Sequence, residues 1–260
     1  MKLRTVKATR YVTPLREGGS LPAIVEADDD GLYVLKFHGA GQGAKALIAE
    51  LVAGELARWL GLPVPEIVFI ELDPTLARTE PDPEIQDLIK ASAGLNLALD
   101  YLPGSITFDP VVDKPKRELA SSIVWFDAYV TNVDRTARNT NLLIWHRELW
   151  LIDHGAALYF HHDWTNYLER SQSHFPQIKD HVLLPLAGEL AEADARLSEK
   201  ITPDVVEEIL SLIPDEWLVE GSPFAEASMH RRAYAQYLMT RLSSTRNFVK
   251  EATDARTLSV

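Results

Sequence analysis

The chain has 260 residues, 46% hydrophobic and 25% charged, a balance that supports a sizeable core and leaves room for one large domain or two lobes. A net charge of −12 gives no overall attraction to nucleic acid or anionic lipid, and the absence of cysteine excludes disulfides, cysteine zinc sites and thiol catalysis. The N-terminal MKLRTVKATRYVTP lacks the apolar core of a signal peptide, and no apolar run approaches the roughly 18 residues of a membrane span; a cytoplasmic location fits both observations.

Residues 3–13 alternate weakly and predict an edge strand. The bend at Gly18, Gly19 and Ser20 leads to a strand-turn-strand unit: Ala23 to Glu26, the acidic turn Asp28-Asp29-Asp30-Gly31, then Leu32 to Phe37. Glycines at such a bend let backbone N–H groups approach a phosphate, although a plain turn gives the same pattern. Lys36 lies near the end of the second strand, where a lysine is either solvent-facing or, as in V-A-I-K strands, paired with nucleotide phosphates. Residues 44–60 carry Leu47, Ile48, Leu51, Val52, Leu56, Trp59 and Leu60 at helical spacing, and Gly61-Leu62-Pro63 stops the helix. Two of its acids, Glu50 and Glu55, are candidates to hold Lys36; Glu55 lies nearer the middle of the apolar face.

Residues 65–72 predict a strand, 84–90 a short helix, and 95–104 a strand ending in a turn. Residues 118–130 predict a second main helix that runs into the stretch NVDRTARNTNLLIWHRELWLIDHG. There Asp134 and Asn139 are five residues apart, Asp153 follows Asn139 by fourteen, and a hairpin separates them. Phosphoryl transfer needs this set: an acid for the attacking hydroxyl, and an amide oxygen and a second carboxylate for a hard cation such as magnesium. The first spacing equals that of the protein-kinase catalytic loop, and Asp153-His154-Gly155 resembles D-F-G with histidine in place of phenylalanine. Arg138 is placed to neutralise charge on the transferred phosphoryl group, with a structural salt bridge as the alternative. Asp127 is read as a brace for the loop or as part of a solvated helix face, and Asn132 and Asn141 as shaping it. His154, His161 and His162 form a cluster without metal-ligand spacing. Beyond residue 168 the pattern predicts helices over 182–191, 194–200, 203–212 and 224–252.

NVDRTARNTNLLI followed by LIDHG resembles the catalytic and metal loops of HipA-like kinases, and is similar to type II phosphatidylinositol 4-kinases, which share that atypical kinase fold. The resemblance covers about residues 18–155. It implies an α+β, two-lobed protein-kinase-like fold, with a small antiparallel-sheet lobe over 1–101 and a mostly helical lobe over 102–260. It implies ATP and Mg2+ between the lobes, with Asp134 as catalytic acid, Asn139 and Asp153 as metal ligands and Lys36 on the phosphates. Gly19-Ser20-Leu21-Pro22 is similar to the family's G-x-x-P loop, Glu50 matches the family register for the lysine's partner, and Asp100 and Tyr101 fall at the linker that faces adenine. The acceptor implied is a protein serine or threonine; a lipid or small-molecule hydroxyl is the alternative. Some relatives are toxins held by an antitoxin-like partner, which nothing in this sequence shows. Ser20 is a candidate for self-modification. Two rival classes remain, a catalytically inactive kinase-shaped nucleotide-binding or interaction module and a metal-dependent hydrolase built on Asp134, Asp153 and the histidines.

Overall fold

The computed structural model describes residues 2–15, 21–41, 43–219, 221–243 and 245–259. Five strands, β1 (Thr5–Pro14), β2 (Ala23–Ala27), β3 (Leu32–Lys36), β4 (Ile67–Leu72) and β5 (Gly94–Asp100), close into a barrel in the order β1-β2-β3-β5-β4. All neighbours are antiparallel except β1 and β4, which pair in parallel from Thr5↔Phe69 to Lys7↔Glu71. The first strand is therefore paired on both sides rather than lying at an edge, and the expected antiparallel sheet is mixed. Closure removes the unpaired edge that a five-stranded sheet would expose.

Period-two alternation gives the barrel two apolar faces. Val68 and Ala98 point into its interior with Val6, Val25 and Leu35, whereas their neighbours Ile67, Leu97 and Leu99 point out and pack with α1 (Ala44–Trp59). This helix is enclosed almost all round, which is why its apolar residues mark no single face. Its other side meets the helical part, and Trp59 Nε1 donates to the Lys200 carbonyl at 3.0 Å. A 3₁₀ turn at Pro74–Thr79 and α2 (Pro83–Ala91), capped by the Asp82 side chain, close the barrel end with Ile85 and Ile89.

After β5 the chain forms β6 (Ile106–Thr107), α3 (Arg117–Tyr129) and the hairpin β7 (Leu142–Trp145) and β8 (Glu148–Leu151), with sheet order β6-β7-β8. The rest is helical: α4 (Tyr167–Ser171), α5 (Leu190–Ser198), α6 (Pro203–Leu210), α7 (Asp215–Val219), α8 (Ala227–Ser243) and α9 (Asn247–Ser259). Two expected helices differ. Residues 182–191 hold only a 3₁₀ turn, Leu184–Leu186, before α5 begins, because the Val182 amide bonds the Arg135 carbonyl and Pro185 and Gly188 interrupt the run. The long final helix divides into α8 and α9 at Arg246, whose left-handed backbone (φ 48°) ends helical continuity.

Candidate active site

Lys36 ends β3 on the face opposite Leu35, so the alternation that buries Leu35 in the barrel turns the lysine towards α1. Its Nζ lies 3.5 Å from Glu50 Oε2 and 2.6 Å from Asp153 Oδ1. Burial pushes the ammonium pKa down, but Glu50 and Asp153 more than offset it and the net shift is upward. Burial likewise opposes the Glu50 charge, yet Lys36 and then His154 hold its carboxyl down at about 2. Glu55 goes elsewhere, to Arg58 Nε at 3.2 Å, and burial raises its pKa. Of the two candidate acids, the structure joins Glu50 to the lysine.

Asp134 and Asn139 lie on the loop after α3. Asn139 Nδ2 donates to Asp134 Oδ2 at 2.7 Å, Asn141 Nδ2 reaches the same oxygen at 3.3 Å, and the Thr136 amide donates to both the Asp134 and Asn139 carbonyls. Burial raises the Asp134 pKa; the Asn141 amide pulls it back, and nearby Asp153 pushes it up again. Beneath, Asp127 braces the loop. It is fully buried and accepts from Asn132 Nδ2 at 3.0 Å, Arg135 Nε at 2.7 Å and His181 Nε2 at 2.9 Å. Arg135 continues to the carbonyls of Asn141 and Ile152 and so ties the Asp134–Asn139 loop to the residue before Asp153. The locked arginine of this loop is thus Arg135, while Arg138 is exposed.

Asp153 has left-handed backbone geometry (φ 54°), as do Thr131, Asn141 and Leu158 (φ 54°, 47° and 53°), so uncommon conformations ring the loop. The Thr131 hydroxyl accepts the Tyr159 amide at 3.1 Å, and the Leu158 amide donates to the Val130 carbonyl at 2.7 Å. His154 turns inward, Nδ1 3.3 Å from Glu50 Oε1 and its ring edge-on to Phe126. His161 meets the Tyr234 hydroxyl at 2.9 Å and packs edge-on against the exposed ring of His162, whereas His154 turns to Glu50. Asp100 and Tyr101 sit where β5 leaves the barrel, with their amides already bonded to the Glu66 and Leu32 carbonyls at 2.8 and 2.9 Å. Gly18, Gly19 and Ser20 lie outside the described residues; the Leu15 amide and Pro22 carbonyl on either side are joined at 2.7 Å.

The donor set fits a hard cation. Asp153 keeps a second carboxylate oxygen beyond the one bonded to Lys36, with the side chain 40% exposed, and Asn139 gives its nitrogen to Asp134, leaving the amide oxygen for another partner. Sequence reasoning gives neither Arg135 nor His181 a role. Neither stands in a spacing pattern that points to the loop; the packing of distant segments makes the connection.

A closed barrel with a buried lysine-glutamate pair, set on a helical lobe that carries D-x-x-x-x-N and a second acid, defines a two-lobed kinase-like fold. The Helicobacter pylori proinflammatory kinase CtkA has the same fold, with a TM-score of 0.60, 14% identity and 100% coverage of both chains. The Golgi casein kinase solved with Mn and ADP bound aligns with a TM-score of 0.48 at 13% identity, over 94% of this chain and 74% of that one. The HipA-like kinase family model matches residues 9–251, and the chain belongs to that family. No curated protein matches the sequence significantly.

Proposed function

We propose that the protein is an ATP- and Mg2+-dependent kinase that transfers the γ-phosphoryl group to a hydroxyl, with a protein serine or threonine as acceptor. The observation that carries this reading is Lys36 held between Glu50 and Asp153, with Asp153 also near Asp134. Residues 1–101 and 102–260 form the two lobes around the nucleotide. Lys36, kept cationic by its two acids, binds phosphate oxygens, and Glu50 keeps it in place. Magnesium, when bound, neutralises the phosphates; Asn139 and Asp153 hold it through oxygen. Asp134 orients the acceptor and takes its proton as the hydroxyl oxygen bonds to the γ-phosphorus and the bond to the ADP oxygen breaks. Arg138, exposed four residues beyond Asp134 on the same loop, neutralises charge on the transferred group. Asp100 and Tyr101 border the adenine.

Melting with and without Mg-ATP tests this. Ligand at about 100 times its Kd adds ~2.7 kcal/mol, which raises the midpoint by ~5–10 °C for a chain of this size. Wild type and Asp134→Asn should show the magnesium-dependent rise, Asp153→Asn should lose it, and only wild type should transfer phosphate. No rise in wild type at millimolar Mg-ATP overturns the reading and favours an interaction module.

A further inference from the structure

The segment around Pro176–Leu186 carries no motif, yet it reaches the catalytic loop. Thr136 and His181 form an antiparallel bridge, and the Val182 amide donates to the Arg135 carbonyl at 3.1 Å. His181 Nδ1 accepts the Leu183 amide at 3.0 Å, which puts the ring proton on Nε2. Nε2 then donates to Asp127 Oδ2 at 2.9 Å, the same oxygen that receives Arg135 Nε. Two paths lead on from Asp127. One runs through Asn132, whose Oδ1 accepts the Asp134 amide at 3.1 Å. The other runs through Arg135 to the Ile152 carbonyl, one residue before Asp153.

We infer that His181 is a positioning residue for phosphoryl transfer, setting Asp134 and Asp153 relative to one another through Asp127, Asn132 and Arg135. This rests on the kinase reading above. His181 touches no reacting atom. Its donated bond fixes the rotation of the Asp127 carboxylate, from which both loops hang. A carboxylate held by fewer donors can turn, and a displacement of about 1 Å at reacting groups costs on the order of 100-fold in rate. Lys36 and Glu50 are carried by β3 and α1, but Lys36 is bonded to Asp153, so the loss falls on kcat through Asp134 and on the KM for Mg-ATP through Asp153.

The experiment contrasts His181→Asn with His181→Gln. Asparagine keeps an acceptor for the Leu183 amide but is too short to reach Asp127; glutamine places an N–H near the Nε2 position. For His181→Asn, kcat should fall ~100-fold and the KM for Mg-ATP should rise as Asp153 shifts, whereas His181→Gln should stay within about fivefold of wild type on both. Amide hydrogen exchange over residues 132–141 should accelerate in His181→Asn and not in His181→Gln. Equal kcat in all three proteins, or equal losses in the two variants, overturns the inference. If wild type transfers no phosphate, the kinase reading fails by itself, and the exchange contrast still decides the relay: unchanged exchange in His181→Asn overturns it.

Discussion

Lys36 Nζ and Glu50 Oε2 stand 3.5 Å apart with their side chains 11% and 1% exposed, a charge pair taken almost wholly out of water. Desolvating two ions is costly, and removing one partner strands the other. Lys36→Met should therefore destabilise by ~3–5 kcal/mol, since Glu50 is left with His154 alone. Adding Glu50→Leu should recover part of that loss, because an apolar pair needs no counterion, while the buried His154 Nδ1 loses its partner. Phosphoryl transfer should be absent from both. Urea midpoints of the single and double variants decide it; a double variant no more stable than Lys36→Met would show that the pair is not the source of the loss.

Gly54 leaves α1 no room for a side chain against Ile67 of β4. A Cβ there would lie 2.4 Å from Ile67 Cδ1 and 4.0 Å from His154 Nδ1. Gly54→Ala should cost ~1–3 kcal/mol through overpacking, despite the better helix propensity of alanine. Ile67→Val removes the offending methyl, so it should recover stability in the alanine background while costing ~0.5–1.5 kcal/mol in wild type. Thermal melts of the four proteins give the coupling directly, and simple additivity would refute the contact.

Strand and helix periods made the barrel strands, α1, α3 and the β7-β8 hairpin legible, and the Asp134–Asn139 spacing picked out two side chains that the fold joins by a hydrogen bond. Choosing between Glu50 and Glu55 from the middle of the apolar face fails because α1 is enclosed almost all round, so that face has no meaning there. The family register pointed to Glu50, which the geometry joins to Lys36. The parallel β1-β4 closure was not legible, because residues 3–13 and 65–72 look the same whether at an edge or paired on both sides. Arg135 and His181 were invisible as a pair for a different reason: a charge relay between residues 46 positions apart leaves no local pattern.

Arg135 offers a test of that relay by chemistry rather than by size. Its guanidinium reaches Asp127 through Nε and the Asn141 and Ile152 carbonyls through Nη1, all in a buried setting. Lysine keeps the charge but has one nitrogen, which cannot serve three acceptors in a plane. Arg135→Lys should lose ~3 kcal/mol of stability, near the cost of breaking a buried pair, together with transfer activity. Chemical denaturation at pH 7.5 measures the first. A loss under ~0.5 kcal/mol would mean that Asp127 is held adequately by Asn132 and His181.

Buried histidines set how stability depends on pH. In the fold, burial lowers the pKa of His161, with the charges of His162, Lys45 and His230 acting in the same direction; burial also lowers His181 and His230. Each is neutral in the native state where the unfolded chain, at about 6.5, would take up a proton. Stability is therefore full above about pH 6.5 and falls as pH drops from there towards the folded values, by up to ~1.4 kcal/mol per pH unit for each such histidine. Asp127 acts lower down. Burial opposes its charge, but Arg135 and His181 hold its pKa below the usual range, so its contribution persists above about pH 4 and fades below it. Urea midpoints at about pH 7.5, 6.5, 5.5 and 4.5 should decline below 6.5, and His161→Phe, which replaces the buried ring at the Tyr234 hydroxyl, should flatten the slope by about one proton. A wild-type midpoint that stays level from 7.5 to 4.5 would show that these rings are not neutral in the fold.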